Sequence, residues 1–357
     1  MPSAVHTSRI SAPSALLGPL LKSVSRSFYL TLRVLPRGLR EPVGLAYLLA
    51  RAADTIADTE LIPSAQRLEL LLALRARINN QVGSENAASR ISEDLSAQQS
   101  NPHERVLLQS LPQALELLDR CGANDRREIQ RVVTTLTEGM EFDLRTFPDE
   151  ASGNVAALKT CVELERYTFL VAGCVGDFWT TMTIARQSAL RDWNAAEMSA
   201  IGIRFGKALQ YTNVLRDVPR DLRIGRCYFP EELLHAHGLQ PRDLLNPEIS
   251  TRARPALVSL IRVALEHYEQ ARRYLLAIPA RCTRLRLACL WPILIGLPTL
   301  EALGKNANWL DPAKPAKISR GRVKRTLLLS IPSVNSNWLV NRWIEKQMRA
   351  VKKSFGL

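Results

Sequence analysis

Apolar residues recur at intervals of three and four along most of this 357-residue chain, and that spacing constrains the fold more than any other feature. Such intervals place apolar side chains on one face of an α-helix, whereas strands alternate with a period of two. The pattern shows no alternating run bounded by a hairpin turn signal. The sequence therefore predicts an all-α protein. The clearest helical stretches are residues 68–78, 106–118, 132–140 and 257–275.

The breaks in this pattern are short. Polar residues 79–103 predict a surface loop or a frayed helical end, and further breaks fall at 147–154, 225–230 and 306–315. None of these breaks is long enough to isolate a second hydrophobic core. We therefore expect a single large helical bundle.

This bundle is expected to span residues 23–313. Residues 1–22 are predicted to form an N-terminal extension, in which no basic segment leads into an apolar run as in a signal peptide. Residues 314–357 are predicted to form a basic, amphipathic C-terminal tail. The longest apolar stretch, 287–300, contains two prolines and is shorter than the roughly 20 residues that span a bilayer.

The tail carries much of the formal net charge of +14. Residues 314–357 hold eleven Lys and Arg residues against one acid, Glu345. The apolar residues expected to face the membrane are Leu327, Leu328, Leu329, Ile331, Trp338, Leu339, Val340, Trp343 and Ile344. Basic and aromatic residues on one helix are typical of a segment that lies on an anionic membrane. No helix-turn-helix, RNP or zinc-finger pattern supports nucleic acid as the partner. We expect a cytoplasmic protein, monomer or homodimer, that binds the cytoplasmic face of a membrane peripherally.

Two aspartate pairs carry the candidate chemistry: Asp54 with Asp58, and Asp217 with Asp221. On a helix, side chains four residues apart share one face. Two carboxylates so placed repel each other unless a cation lies between them, and Mg²⁺ commonly bridges carboxylates to substrate phosphates. Two such pairs facing each other across a bundle would hold Mg²⁺ over a diphosphate. A solvated helix face is the alternative, since a lone D-x-x-x-D motif is common.

The surroundings of both pairs favour a polar site within a core. The first pair follows Arg51 and the apolar run 43–50, and the second follows Arg216. Carboxylates mixed with arginine on otherwise apolar helices indicate such a site. Pro219 lies between the second two aspartates and predicts a kink or a helix end, so that Asp221 is expected at a helix end.

Longer motifs around these residues follow one another between about residue 23 and residue 230. They are Ser25-Arg26-Ser27-Phe28, Tyr47-Leu48-Leu49-Ala50-Arg51-Ala52-Ala53-Asp54, Tyr167-x-x-x-Val171-Ala172-Gly173, and Asn213-Val214-Leu215-Arg216-Asp217-x-x-x-Asp221 followed by Gly225-Arg226-Cys227-Tyr228-Phe229-Pro230. In this order they resemble the signature blocks of the squalene/phytoene synthase family. The resemblance continues more weakly to about residue 325. It implies a helical bundle of the isoprenoid synthase type with a central active-site cavity.

The resemblance also implies roles for individual residues. Tyr167 would accept the proton released as a cyclopropane ring closes, with released diphosphate as the ultimate base, although a helix-packing aromatic is the alternative. Ala57 and Arg220 stand where the family often has a further acid, so metal binding would rest on fewer carboxylates. The implied metal ligands are Asp54, Asp58, Asp217 and Asp221; the implied substrate contacts are Ser25, Arg26, Phe28, Arg51, Asn213, Arg216 and Arg226; the implied catalytic residues are Tyr167, Tyr47, Asp54 and Asp217.

The reaction implied by the resemblance is squalene synthesis. Two farnesyl diphosphates would condense head-to-head through presqualene diphosphate with Mg²⁺, and NADPH would then reduce the intermediate. The segment 316–321 resembles the basic segment that squalene synthases place near the cofactor phosphates, with Lys317, Arg320 and Arg322 as the candidates. The residues leave open a C20 substrate and a non-reductive product, namely phytoene, dehydrosqualene or hydroxysqualene. A non-catalytic helical assembly factor is a further alternative, and the absence of a D-D-x-x-D motif disfavours a head-to-tail elongase.

Overall fold

The computed structural model describes residues 16–25, 28–59, 61–96 and 98–357. Nearly all regular structure among them is helical, which confirms the all-α prediction. The described strands are β1 (Ala156–Ala157) and β2 (Arg226–Cys227), a short parallel pair in which Ala156 is opposite Arg226. The chain divides into two compact units, the first comprising Met1–Arg33 and Arg40–Thr137, the second Val34–Leu39 and Glu138–Leu357. The predicted domain boundaries at 22/23 and 313/314 stay a prediction.

The first unit is built from short and medium helices around leucine-rich faces. Leu45, Leu49 and Leu71 are fully buried among them. Helix α8 crosses the boundary between the units, because Thr137 and Glu138 both lie inside it. In chain order the helices are a π-helical turn at Leu16–Leu20, α1 (Leu21–Val24), α2 (Phe28–Val34), α3 (Arg37–Ala57), α4 (Ser64–Ile78), α5 (Ala87–Ser96), α6 (Pro102–Gln109), α7 (Leu111–Arg120) and α8 (Ala123–Thr146).

Helix α5 corrects the prediction of a loop or frayed end over residues 79–103. Ala88, Ile91 and Leu95 are buried and follow the spacing of a helix face. Ser, Arg, Glu and Asp between them form a solvated face that hides this narrow apolar stripe in the sequence. Only the residues on either side of α5 are irregular.

The second unit contains the longer helices. Helix α11 packs against both α10 and α13, and it carries the second aspartate pair. In chain order its helices, after the end of α8, are α9 (Cys161–Thr168), a π-helical segment (Phe169–Gly173), α10 (Cys174–Arg186), α11 (Ala195–Asp221), α12 (Glu231–Ala236), α13 (Ser250–Ala277), α14 (Thr283–Lys305), α15 (Arg320–Ser333) and α16 (Asn337–Phe355).

Glycines bring the backbone of α11 close to α10 and to the π-helical segment that precedes α10. A Cβ atom at Gly176 would lie 1.9 Å from the carbonyl oxygen of Gly202, and one at Gly206 would lie 2.2 Å from the carbonyl oxygen of Ala172. Real Cβ atoms do not approach backbone so closely, so any side chain at these positions forces the helices apart. This contact fixes the position of α11 within the second unit.

In the part of the chain that the structure describes, two helical segments are long and apolar enough to cross a membrane, Cys161–Arg186 and Thr283–Lys305. Within the second segment 72% of the most apolar window is buried inside the protein, and within the first 44% is. Core helices of soluble proteins have the same length and composition. Burial of α14 inside the second unit identifies it as a core helix.

The C-terminal segment differs from the expected tail. Helix α16 packs against α14 and α13, and its buried face includes Val340, Ile344 and Val351. The sequence placed Val340 and Ile344 on a membrane-facing surface, and this is wrong because both side chains are fully buried. Trp338 and Leu339, at the start of α16, are exposed as expected.

Arg286 of α14 connects the C-terminal helices to the core. Its side chain is fully buried, Nε donates to the carbonyl of Val334 at 2.7 Å, and Nη2 donates to Oδ1 of Asn337 at 2.7 Å. Nη1 donates to the carbonyl of Ile278. A single guanidinium therefore holds the end of α13, the turn after α15 and the start of α16.

Replacing Arg286 by methionine is expected to lower the free energy of unfolding by about 3 kcal/mol, because two buried carbonyl acceptors and one part-buried acceptor lose a charged donor. Amide hydrogen exchange in α16 should become faster. Urea unfolding and hydrogen exchange measure both effects. Arg284→Met, on the exposed side of the same helix, is the matched control and should change the free energy by no more than about 0.5 kcal/mol. Equal effects of the two variants would contradict this role of Arg286.

Candidate active site

The first aspartate pair lies at the end of α3. The buried face of this helix includes Leu45, Leu48 and Leu49, and Asp54 projects from its last turn. The backbone N–H of Asp58 donates to the carbonyl of Asp54 at 2.9 Å, so the helical turn continues to Asp58. The two carboxylates therefore follow one another on one turn, as the spacing predicts.

Arg51 pairs with this cluster from the preceding turn. It donates to Oδ2 of Asp54 and to Oε1 of Glu104 on α6, the latter at 2.8 Å. Burial, then the negative charge of Asp58, raises the pKa of Asp54 to about 6, although Arg51 opposes this rise. The sequence analysis missed Glu104, which lies on a separate short helix and belongs to no recognised motif.

Other predicted residues of the first unit make local contacts. The Ser25 hydroxyl donates to the carbonyl of Leu21 and ends α1, while the Tyr47 hydroxyl donates to the carbonyl of Val24 at 3.5 Å. Arg26 lies outside the described residues. Phe28 begins α2, and its side chain is likewise outside the described part of the structure.

The second aspartate pair lies at the C-terminal end of α11. Pro219 is inside the helix and Asp221 is its last residue, which agrees with the expected helix end. Arg216 holds Asp217 with two hydrogen bonds, of which Nε to Oδ1 measures 2.7 Å. Burial, then the charge of Asp217, raises the pKa of Asp221 to about 7. As in the first pair, the two carboxylates repel each other and an arginine partly neutralises them.

Tyr167 and Arg226 lie near this pair in the second unit. The Tyr167 hydroxyl donates to Oδ2 of Asp143 at 3.2 Å, and Arg226 Nη2 donates to Oε1 of Glu150 at 3.1 Å. Tyr228 donates to the same Asp143 oxygen at 2.9 Å. Arg226, the first residue of β2, follows a left-handed turn at Gly225, where φ is 82°. The tyrosine hydrogen bonds group Tyr167 and Tyr228 around Asp143, a carboxylate that no sequence motif identified.

The position of Asp143 in the sequence could have marked it as a candidate site residue. It continues the spacing of the apolar stripe Leu136 and Met140 along α8, at a position where the pattern calls for an apolar residue. Its side chain is only 13% exposed. A carboxylate on the apolar face of a helix requires buried partners, and here the two tyrosines and Arg226 are those partners.

The remaining predicted residues lie on the surface. Asn213 is exposed, and its amide donates to Oε1 of Gln210 at 3.4 Å. Lys317, Arg320 and Arg322 are exposed at the start of α15, and Arg322 pairs with Glu301 of α14 at 2.9 Å. No bond from these four residues to either aspartate pair occurs among the contacts of the described residues.

The two aspartate pairs offer carboxylate oxygens, which are ligands that Mg²⁺ prefers. Within residues 16–25, 28–59, 61–96 and 98–357, no group of three or more His, Cys, Asp or Glu side chains is arranged to hold a metal by itself. Mg²⁺ usually takes only one or two carboxylates and completes its shell with water and phosphate oxygens. Burial, then the repulsion within each pair, raises the pKa of Asp54 and of Asp221, and a bound cation would relieve that repulsion. The pairs therefore fit Mg²⁺ bound together with a phosphate ligand.

These raised pKa values predict how stability depends on pH. Between about pH 4 and about pH 7 the folded protein holds more protons on Asp54 and Asp221 than the unfolded chain does, so the free energy of unfolding falls as pH rises through this range. Urea unfolding with a chelator at about pH 5 and about pH 8 measures this loss. Asp221→Asn should reduce it. An unchanged pH dependence in that variant would contradict the predicted role of Asp221.

Comparisons of sequence and of fold show which known proteins this chain is similar to. The family model described as Squalene/phytoene synthase matches residues 21–322. Squalene synthase ERG9 of Gibberella zeae is 25% identical over 301 residues, which are 84% of this chain and 60% of that protein. The bifunctional lycopene cyclase/phytoene synthase of Colletotrichum graminicola is 27% identical over 73% of this chain and 42% of its own length. The chain thus spans less than two thirds of these relatives.

A solved structure shares the fold. The complex of TcSQS with the ligand E5700 superposes with a TM-score of 0.70 at 20% identity and covers 96% of this chain and 99% of its own. At this identity the similarity concerns the fold alone. It agrees with the helical architecture described above.

Proposed function

Because the chain belongs to the squalene/phytoene synthase family, we propose that it joins two farnesyl diphosphates head-to-head and reduces the presqualene diphosphate intermediate to squalene. The observation that most supports this proposal is the combination of charged groups at the two aspartate pairs. Each pair combines a carboxylate of raised pKa with a neighbouring arginine, Arg51 in one and Arg216 in the other. Such sites suit a metal-bound diphosphate. The catalytic domain is proposed to span residues 23–313.

The arginines are proposed to exchange partners when substrate binds. In this structure Arg51 bonds Asp54, Arg216 bonds Asp217, and Arg226 bonds Glu150. Diphosphate oxygens would replace these carboxylates as acceptors, since the planar guanidinium suits phosphate. The released carboxylates of Asp54 and Asp217, with Asp58 and Asp221, would then hold Mg²⁺. Bound Mg²⁺ would neutralise the diphosphate as it leaves.

The remaining residues act on the carbon skeleton. One allylic diphosphate ionises, the double bond of the second donor attacks its C1, and loss of a proton closes the cyclopropane. Tyr167 is proposed to take up that proton, with Tyr47 near the reacting carbons. Ser25, Arg26, Phe28 and Asn213 are proposed to contact the substrates. The apolar segments around Phe169–Gly173 and along α14 would keep water from the cations.

Reduction is the step that separates squalene synthesis from its non-reductive relatives. We assign the binding of the NADPH phosphates to Lys317, Arg320 and Arg322, which are exposed cations at the start of α15. Purified protein incubated with farnesyl diphosphate and Mg²⁺, with and without NADPH, tests this assignment by mass spectrometry of the lipid products. Squalene that appears only with NADPH supports it. Dehydrosqualene, hydroxysqualene or presqualene diphosphate that is unaffected by NADPH would overturn it.

A non-reductive activity is the second candidate. The relative from Colletotrichum graminicola is named a phytoene synthase, and its identity to this chain is no lower than that of the squalene synthase. A phytoene synthase would require a C20 donor. Conversion of geranylgeranyl diphosphate but not of farnesyl diphosphate would favour this candidate.

We also propose that the protein binds the cytoplasmic face of a membrane through one surface of the C-terminal helices. Leu328, Leu329 and Ile331 of α15 are 68%, 51% and 51% exposed, and Trp338 and Leu339 of α16 are 65% and 41% exposed. Exposed basic residues lie on the same two helices. These are Lys324, Arg325, Arg342 and Lys346. Exposed apolar and cationic residues on the same helices suit an anionic lipid surface.

Substituting both Leu328 and Trp338 by serine is expected to weaken binding to anionic vesicles by roughly tenfold or more, because two large side chains no longer enter the lipid. Flotation with phosphatidylserine vesicles measures the bound fraction. Val162→Ser, at another exposed apolar position, is the control and should bind as the wild type does. Binding that is equal in all three proteins would contradict the proposed surface. Point variants are preferable to truncation at Lys314, because α16 contributes buried residues to the second unit.

A further inference from the structure

A buried carboxylate, Asp143, lies beside the hydroxyls of two stacked tyrosines in the second unit. Its Oδ2 accepts hydrogen bonds from the hydroxyls of Tyr228 at 2.9 Å and Tyr167 at 3.2 Å. The two rings stack with centroids 4.7 Å apart. An ionised carboxylate only accepts hydrogen bonds, so both phenols are the donors. The hydroxyl hydrogen of Tyr167 therefore points toward Asp143, and the free lone pair of its oxygen points elsewhere.

The surroundings keep these phenols protonated. Burial, followed by the negative charge of Asp143, raises the pKa of Tyr167 well above its ordinary value, and the same two causes raise the pKa of Tyr228. Tyr167 is thus a neutral phenol, which is a weak base by itself. A neutral phenol becomes an effective proton acceptor when a neighbouring base takes its own proton in the same step. Asp143 is placed to be that base.

We propose that Asp143 is the positioning residue for Tyr167, which orients the phenol hydroxyl and receives its proton when the cyclopropane closes. This inference rests on the proposed function, in which Tyr167 takes up the proton lost by the substrate. The substrate C–H bond breaks, and its electron pair closes the ring. The proton bonds to the Tyr167 oxygen while the hydroxyl proton of Tyr167 passes to Oδ2 of Asp143. Asp143 ends the step as a carboxylic acid, and Tyr167 is neutral before and after.

Tyr228 holds the carboxylate in place for this role. It makes the shorter of the two bonds to Oδ2, and its own ring packs edge-on against Phe147 at 5.0 Å. Arg226 Nη1 lies 3.9 Å from the same oxygen. With these contacts fixing Asp143, the longer bond from Tyr167 is the one that is free to change during the reaction.

A double-mutant cycle tests whether Asp143 acts through Tyr167. Asp143→Asn and Tyr167→Phe are each expected to lower kcat for condensation by roughly 10²-fold, with KM changed by no more than about threefold. The double variant should be no slower than Tyr167→Phe alone, because the two residues act in one step. Losses that multiply in the double variant, or a wild-type kcat for Asp143→Asn, would overturn the proposal. The controls are Asp192→Asn, at an exposed aspartate, and Tyr274→Phe, which removes a buried hydroxyl that bonds Thr180.

A second measurement tests the hydrogen bond from Tyr167 to Asp143 without requiring catalytic turnover. Tyr228→Phe leaves Tyr167 as the single phenol bonded to Asp143 among the described contacts, and the Raman doublet of tyrosine reports whether a phenol donates a hydrogen bond. Adding Asp143→Leu to this background removes the acceptor and is expected to remove the signature of one strongly donating phenol, and an unchanged doublet would overturn the orientation. A wild-type protein that converts no prenyl diphosphate would refute the proposed function and the proton transfer with it, and the Raman result would still decide the orientation.

Discussion

Asparagine at Asp54 or at Asp221 is expected to slow condensation of farnesyl diphosphate by about 10²–10³-fold, because each change removes a proposed ligand of the ion that stabilises the departing diphosphate. Asparagine keeps the size of the side chain and removes its charge. Both aspartates have a raised pKa, so the folded metal-free protein should tolerate the neutral replacement or become more stable near neutral pH. The expected combination is therefore lost activity with preserved or increased stability.

The measurement combines diphosphate release with urea unfolding in a chelator. Asp192→Asn is the matched control, since its side chain is 91% exposed and belongs to neither pair. That control should retain the activity and the stability of the wild type. Full activity in Asp54→Asn and Asp221→Asn would show that the pairs are solvated helix faces instead of metal ligands. Activity lost together with stability would point to misfolding and would not support a role in metal binding.

The second large effect concerns the fold of the second unit. Gly176→Ala is expected to lower the free energy of unfolding by about 3 kcal/mol or more, because the new Cβ atom would lie 1.9 Å from the Gly202 carbonyl oxygen. Neither partner is a flexible side chain, so α10 and α11 must move apart along their contact. Because α11 ends in Asp217 and Asp221, activity should also fall in any fraction that folds.

Gly321→Ala provides the comparison for this variant. Gly321 also lies in a helix, but no atom is within 4 Å of its added Cβ, so alanine should be neutral or slightly stabilising. Urea unfolding of the two variants and the wild type measures the difference. A Gly176→Ala protein with wild-type stability would contradict the close backbone contact between α10 and α11.

Much of the architecture could be predicted from the sequence, since helical periodicity and the position of Pro219 are local properties. The helix α5 was missed because only Ala88, Ile91 and Leu95 mark its buried face among polar neighbours. The docking of α16 was missed for a different reason. A face of Val340, Ile344 and Val351 beside cationic residues suits a lipid surface and a protein core equally, and only packing against α14 distinguishes them.

In the candidate site, too, residues within short motifs could be predicted from the sequence, and residues whose partners are distant in the chain could not. The aspartate pairs and their arginines belong to local motifs, so the sequence could predict them as site residues, and their roles stay a prediction. Glu104 and Asp143 reach their partners Arg51 and Tyr167 over 53 and 24 residues of chain. No short motif contains such pairs. Asp143 nevertheless interrupts an apolar stripe, and a carboxylate in that position is a signal that sequence analysis can use.

We propose that this protein condenses two prenyl diphosphates head-to-head with Mg²⁺. The most direct measurement is incubation of the purified protein with farnesyl diphosphate, with Mg²⁺ or with a chelator, followed by mass spectrometry of the products. We expect a C30 product and released diphosphate only when Mg²⁺ is present. No C30 product from farnesyl diphosphate, and no C40 product from geranylgeranyl diphosphate, would contradict the claim.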